Sequence, residues 1–493
     1  SAYCFALHPF RQRQHQDLRV LSRLFVSTVT TTPNTSSSFK VKRQLDFDGL
    51  REAIYEAYER NETDGILQLA QQMDLQAYSP EDIVFASADA VSHNRGKLSG
   101  VLNGWMGAHC QSPDPKEGGK LAWDLLEAYE EASTSLELSP NIVTYSLVSS
   151  ALARSRAHHK SPQQQKYHAD LEEIVLKRAA RQSKKQGGTK RRKSLTKSKR
   201  KHAARRQQQE EDAMDVGIMA RDLEKDFQQL FGPDFRVLFE TPELLVVSKP
   251  SGMACCHKHS TTQGKISKKG TPSFKKRDSQ GLPQLEVSLE DALLHKGVPL
   301  STLNPEGRGL VHRIDRGTSG CIVMAKTDET HAHLVSQFFL RKPIKHYHAI
   351  VTTSEDLEEE GTVDLTINGR PARSSYRVVE RYKGSLGAVA VEVQAHTGRK
   401  HQVRVHCAEG LGAPVLFDSL YGPDEETTRT ELPEVLVDLV SGGINMGDRS
   451  RRKHKTQFKR FFLHAVSLAI PELGIDVQAP LPVWWQDALK HLD

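Results

Sequence analysis

The densest group of chemically useful side chains lies in "GLVHRIDRGTSGCIVMAKT" (309–327). Asp315 sits between Arg313 and Arg316, with His312, Thr318 and Ser319 close by in the chain. A carboxylate flanked by cations stays ionised, because nearby positive charge favours the charged form. On a polar loop between two strands, it can serve as nucleophile or as base. The same residues also suit a plainer role, an Asp that caps a turn and pairs with a neighbouring Arg.

A second group is "HTGRKHQVRVH" (396–406). Thr397-Gly398 marks a turn, and Arg399, Lys400 and Arg404 suit contacts to phosphate. His401 and His406 are five apart, not the four that puts two zinc ligands on one helical face. Adjacent Cys255 and Cys256, with no partner pair downstream, are poor tetrahedral ligands and suit a buried strand end. No metal site is expected.

The elements around these groups read as strands interrupted by a few helices. "FRVLFE" (235–240), "LLVVSKP" (244–250), "GCIVMAKT" (320–327), "KHYHAIVTT" (345–353), "GAVAVEVQA" (387–395) and "RFFLHAVSLAI" (460–470) are short and β-rich. Helical candidates lie between them at 288–297, 328–341 and 401–412, and one precedes them at 210–232. The pattern predicts an α+β domain on a large mixed or antiparallel sheet. Residues 258–285 and 423–458 read as loop-like insertions.

Residues 45–175 read as helical. "LREAIYEAYER" (50–60) and "KLAWDLLEAYEEA" (120–132) space apolar residues at three and four. "SPNIVTYSLVSSALARS" (139–155) resembles the first helix of a pentatricopeptide repeat, and "SPEDIVFASADAVSHNRG" (79–96) is a looser second copy. Such repeats would offer an RNA-reading surface.

The chain has 493 residues and a formal net charge of +7. Residues 177–206 hold fifteen Lys or Arg and no acid, and the rest of the chain is acidic on balance. This tract repels itself and lacks apolar residues, so it is expected to be disordered. It suits an electrostatic arm for nucleic acid or a nuclear or nucleolar address, with a solvated linker as the plainer reading. Residues 1–44 are Arg-rich, Ser-rich and acid-poor, the composition of an organelle transit peptide or a disordered tail. No run reaches the ~20 apolar residues that span a bilayer. Six cysteines without a C-x-x-C pair argue against a disulfide scaffold.

"HRIDRGTSG" with "AK", "VSKPSGM" (247–253), "KHYHAIV" (345–351), "TGRKHQVRVH" (397–406) with "GAPVLFDSLYG" (412–422), and "LHAVSL" (463–468) stand in the order found in RluA-type pseudouridine synthases. The chain resembles that family over about 235–490. The resemblance implies the family's mixed, mostly antiparallel sheet with flanking helices. It assigns Asp315 as the catalytic aspartate, Tyr347 as the tyrosine packing on the target uracil, and Arg399 as the arginine that ion-pairs with the aspartate. It makes Arg313 the arginine that replaces the flipped base in the RNA stack. Gly317 stands where an acidic residue is common, and Cys321 where an aliphatic one is common. The expected organisation is a transit peptide or tail (1–44), a helical region (45–175), a basic linker (176–209) and a catalytic domain (210–493). The expected protein is a monomer that modifies rRNA or tRNA without cofactor, metal or membrane. Its expected compartment is a mitochondrion or plastid, with nucleus, nucleolus or cytoplasm as alternatives. A non-catalytic RNA-binding protein is the second reading.

Overall fold

A computed structural model of the chain describes residues 45–73, 77–92, 94–191, 228, 233–256, 288–354, 356–384, 386–423, 432–441 and 460–492. The expected transit segment, the helix at 210–232 apart from Gln228, and most of the two insertions lie outside the described residues. The chain divides into two compact units, residues 1–108 and 109–493.

The first unit holds α1 (Phe47–Gln72), α2 (Pro80–Ala90) and most of α3 (Leu98–Cys110). Its helix starts follow the sequence signals. Asp46 caps α1 by accepting from the Gly49 amide. Ser79 and Asp82 form a reciprocal capping box at α2, with Pro80 in the first turn. Helix α1 is kinked at Asn61 and Glu62, whose backbone leaves the helical region.

The second unit begins with α4 (Pro115–Leu136), α5 (Ile142–His158) and α6 (Pro162–Arg191). Asn141 and Thr144 cap α5 reciprocally. Helix α6 continues to Arg191, into the first part of the tract expected to be a disordered linker. Arg178 pairs with Glu130 at 2.6 Å and lies over the Trp123 ring, and Ser183 donates to the Thr302 carbonyl.

The rest is one sheet with helices on both faces. Its strands are β1 (Arg236–Glu240), β2 (Leu244–Lys249), β3 (Ser319–Ala325), β4 (Ile344–Thr352), β5 (Glu360–Ile367), β6 (Arg370–Arg381), β7 (Ala388–Ala395), β8 (Leu463–Ile470) and β9 (Ile475–Gln478). The order is β1-β2-β3-β8-β4-β7-β6-β5, with β9 beside β8. β3 and β8 run parallel, and the other pairs are antiparallel.

β2 and β3 are buried along their whole length, so their sequences are continuous apolar runs rather than alternating ones. Leu245, Val247, Ile322 and Met324 face α7 (Leu289–His295) through Leu289, Ala292 and Leu293. Leu244, Val246, Cys321 and Val323 face Leu334 of α8 (Asp328–Phe339). α8 is also roofed by α5, where the Ser150 and Ser336 hydroxyls meet at 2.7 Å. Further along, Ala349, Val351, Val391 and Val393 pack with Phe462, Trp484 and Trp485, the last two on α11 (Val483–Leu489). α10 (Glu434–Ser441) adds Leu436, Val437 and Val440 to the same core. This is the expected α+β architecture.

Candidate active site

Asp315 lies on the loop that enters β3. The Thr318 amide donates to the Asp315 carbonyl, which closes a tight turn. Gly320 then has φ +106°, and a Cβ there would lie 2.2 Å from the Ala465 carbonyl oxygen. Only glycine lets β3 come this close to β8 immediately after the loop. His312 is held by the fold. Its Nε2 accepts from the Val323 amide at 3.0 Å, its ring stacks on Phe338, and burial pushes its pKa down to about 3.

The turn between β2 and α7 grips this loop from the other side. Gly252 N donates to the Arg316 carbonyl, and Arg316 Nε donates back to the Gly252 carbonyl. Lys249 is fully buried and donates to the carbonyls of Pro250, Met253 and Arg316. Burial pushes its pKa down to about 8, opposed by Cys255 and the Asp315 charge. Cys255 itself is a buried thiol on the Ile314 carbonyl.

The second motif follows β7 and forms the turn "TGRKHQ" (397–402). Gln402 locks it. Its Oε1 accepts from the Arg399 amide and the Thr397 hydroxyl, and its Nε2 donates to the Arg373 carbonyl and Ser374 Oγ. His401 takes the left-handed conformation, φ +58°, and α9 (Gln402–Val405) starts immediately after it. The expected helix over 401–412 is therefore short, and it passes into a wider π turn at His406–Gly410.

This geometry corrects one expectation. The guanidinium that meets Asp315 belongs to Arg404, at 3.3 Å, and not to Arg399. Arg399 Nε donates instead to the Pro371 carbonyl at the start of β6. The locked turn diverts Arg399 to the β6 side, and the left-handed residue reverses the chain so that Arg404 falls opposite the aspartate. Arg404 also grips Asp418 with two hydrogen bonds of 2.6 Å, a planar fork against a planar carboxylate. Its side chain is 8% exposed, and that of Asp418 1%. Its guanidinium lies between the Tyr421 and Phe461 rings, 5.0 and 4.6 Å from their centroids. Burial opposes the charge of Arg404, but the two carboxylates outweigh it and raise its pKa. Gly317 makes room for this stack, since a Cβ there would lie 2.3 Å from the Phe461 ring.

Asp418 is placed by the segment 413–418, which threads between β4 and Phe462. Leu416 N donates to the Ile350 carbonyl, and Phe462 N donates to the Leu416 carbonyl. Phe417 is held at φ +67°, its buried ring 6.0 Å from that of Phe462. A bulky residue rarely adopts this conformation, and here the ring packing enforces it.

Tyr347 lies on β4, opposite Val393 of β7, on the face that carries the site. Burial raises its phenol pKa, and the Asp315 charge adds to the shift. Arg313 is exposed on the Asp315 loop, and Lys400 is exposed beside His401. The structure thus brings Asp315, Arg404 and Tyr347 together, leaves Arg313 and Lys400 at the surface, and turns Arg399 toward Pro371. Asp418, His401, Tyr421 and Lys249 were not assigned a role from sequence. The signal for Asp418 and Tyr421 was present as "FDSLYG" in a motif already singled out.

Comparison with known proteins agrees with the family resemblance. Residues 243–409 match the family model described as RNA pseudouridylate synthase. The chain is 32% identical over 209 residues to ribosomal large subunit pseudouridine synthase D of Nitrosomonas europaea, covering 39% of this chain and 52% of that one. It is 30% identical over 279 residues to the Pseudomonas aeruginosa protein of the same name, covering 52% and 72%. It is 35% identical over 134 residues to "RNA pseudouridine synthase 2, chloroplastic" of Arabidopsis thaliana, covering 23% and 30%. The chain spans 52%, 60% and 61% of the length of three of the curated relatives it matches. The matched family region holds Asp315, Tyr347, His401 and Arg404, and with these relatives it shows that the chain belongs to the RluA-type RNA pseudouridine synthase family.

Proposed function

We propose that this chain isomerises uridine to pseudouridine in RNA, with Asp315 as the catalytic residue. The observation that carries the reading is the placement of Asp315. Arg404 lies on one carboxylate oxygen and His401 near the other, and Asp315 acts electrostatically on Tyr347.

The reaction breaks the N1–C1′ bond, turns the uracil, and joins C5 to C1′. N1 gains a proton and C5 loses one, so the atoms balance with no external donor. No group is oxidised, and no cofactor is required. The base must first leave the stack, which costs a few kcal/mol that pocket contacts offset. Arg313, exposed on the loop, would fill the vacated place. Tyr347 would offer its ring to the uracil. Asp315 would then attack C1′ or remove the C2′ proton. Arg404 holds its Oδ2 in either route.

Relatives named for the large ribosomal subunit favour ribosomal RNA over tRNA as the substrate. The composition of residues 1–44 and the chloroplastic relative favour an organelle, plastid or mitochondrion. Residues 192–206, which lie outside the described residues, would contact phosphates without reading sequence. Among the described residues, no helix is long and apolar enough to cross a membrane.

Pseudouridine mapping across the RNAs of cells with and without the chain tests this reading. We expect at least one uridine that is modified only when the chain is present. Identical maps would refute it.

A further inference from the structure

His401 stands where a further group could act on Asp315. Its Nε2 lies 3.7 Å from Asp315 Oδ1, on the oxygen that Arg404 leaves open. Its Nδ1 lies 2.9 Å from the Tyr421 hydroxyl, and the two rings meet edge to face. The Tyr421 ring in turn covers the Arg404 guanidinium. The backbone pays for this placement with a left-handed φ at a residue that carries a side chain. Strain of this kind marks sites where a side chain must be aimed.

The charges around the ring decide its tautomer. Burial lowers the His401 pKa, and Arg404 and Lys400 lower it further, against Asp315 and Asp418. The imidazole is therefore neutral at neutral pH, with one N–H to place. If Nδ1 carried it, the Nε2 lone pair would face the Asp315 carboxylate. If the Tyr421 hydroxyl donates to Nδ1, Nε2 carries the proton and points a donor at that carboxylate. The second arrangement replaces repulsion with attraction.

We propose that His401 is a positioning residue for Asp315: its Nε2–H holds the carboxylate oxygen that Arg404 does not, in a tautomer fixed by the Tyr421 hydroxyl. The contact at 3.7 Å tightens when substrate fills the site, as hydrogen bonds in unliganded sites commonly do. Arg404 then holds one oxygen of Asp315 and His401 the other, and together they set its rotation. The inference rests on the pseudouridine reading above.

The test uses the full chain and a transcript carrying the mapped target uridine. Single-turnover rates are measured at saturating RNA across pH for the parent, His401→Phe, His401→Gln, Tyr421→Phe and the His401→Phe/Tyr421→Phe double variant. His401→Phe keeps a ring against Tyr421 but removes the donor. We expect its saturating rate to fall about 10–100-fold, with RNA affinity within about threefold. His401→Gln, whose amide can donate, should recover part of the rate. Tyr421→Phe should lose less than His401→Phe, and the double variant should match His401→Phe alone. A merely structural role would not give that pattern. A parental saturating rate in His401→Phe would overturn the inference, as would a His401→Gln rate no better than that of His401→Phe. If His401→Phe does not fold, Tyr421→Phe decides, and a parental profile there overturns it. A parent that makes no pseudouridine refutes the reading beneath, and the inference with it. Parental turnover in His401→Phe refutes the inference alone.

Discussion

At the scale of single residues, the site is organised around one cation that serves two carboxylates. Arg404 uses Nε and Nη2 on buried Asp418 and turns Nη1 to Asp315. Removing it would leave Asp418 buried and unpaired, which costs about 3–5 kcal/mol. Arg404→Lys is the gentler probe, since it keeps the charge and loses the fork. We predict that Arg404→Lys lowers the saturating single-turnover rate about 100-fold, while Arg399→Lys stays within about threefold of the parent. Equal losses in the two variants would return Arg399 to the site. The sequence singled out Asp315 and Tyr347, each in a motif with one candidate of its type, and the structure places the two as electrostatic neighbours. The sequence did not separate Arg399 from Arg404. Both lie in one basic motif, five residues apart, and the outcome depends on Gln402 locking the turn and on His401 adopting a left-handed φ. Neither feature has a signature in residue type or spacing.

At the scale of elements, legibility followed burial. β2 and β3 read clearly because burial on both faces gave them unbroken apolar runs at 244–247 and 321–325. β5 and β6 were missed. β5 alternates exposed and less exposed positions, and β6 carries Arg370, Arg373, Arg377 and Arg381 on an outer part of the sheet. The period-two pattern of "GTVDLTI" was the available signal. The helix starts came closer, since α2 and α5 open at Pro80 and Ile142, near the starts of the stretches 79–96 and 139–155 singled out in the sequence. The packing of α5 on α8 makes the helices preceding the sheet part of the second unit's core. The buried Ser150–Ser336 contact is its tightest polar point. We predict that Ser150→Leu, which overfills this contact and leaves Ser336 with one partner fewer, destabilises the chain by about 1–3 kcal/mol in urea titration. An unchanged midpoint would mean that α5 does not pack on α8 in solution.

At the scale of the whole molecule, several buried histidines couple stability to pH. Burial pushes His109, His331 and His464 down to about 4 from an ordinary 6.5. Between those values the unfolded chain binds protons that the folded chain does not. Stability is therefore full above about 6.5 and falls as pH drops toward 4, by up to about 1.4 kcal/mol per pH unit for each histidine. His464 is the best probe, because Ser319 and the Ala479 carbonyl occupy both its nitrogens. His464→Gln should lower stability at pH 7 yet flatten the slope between pH 6.5 and 4.5. An unchanged slope in urea titrations across that range would contradict the assignment.

The most direct test of the central claim is pseudouridine formation by Asp315→Asn. The amide keeps the size and much of the hydrogen bonding of the carboxylate but removes its charge, so it can neither attack C1′ nor remove the C2′ proton. RNA from cells lacking the chain is incubated with the parent or the variant, and pseudouridine is read at the target uridine. The account predicts full conversion by the parent and none by the variant, with RNA affinity within about threefold because the phosphate contacts are untouched. Conversion by Asp315→Asn at a rate near the parent's would contradict it.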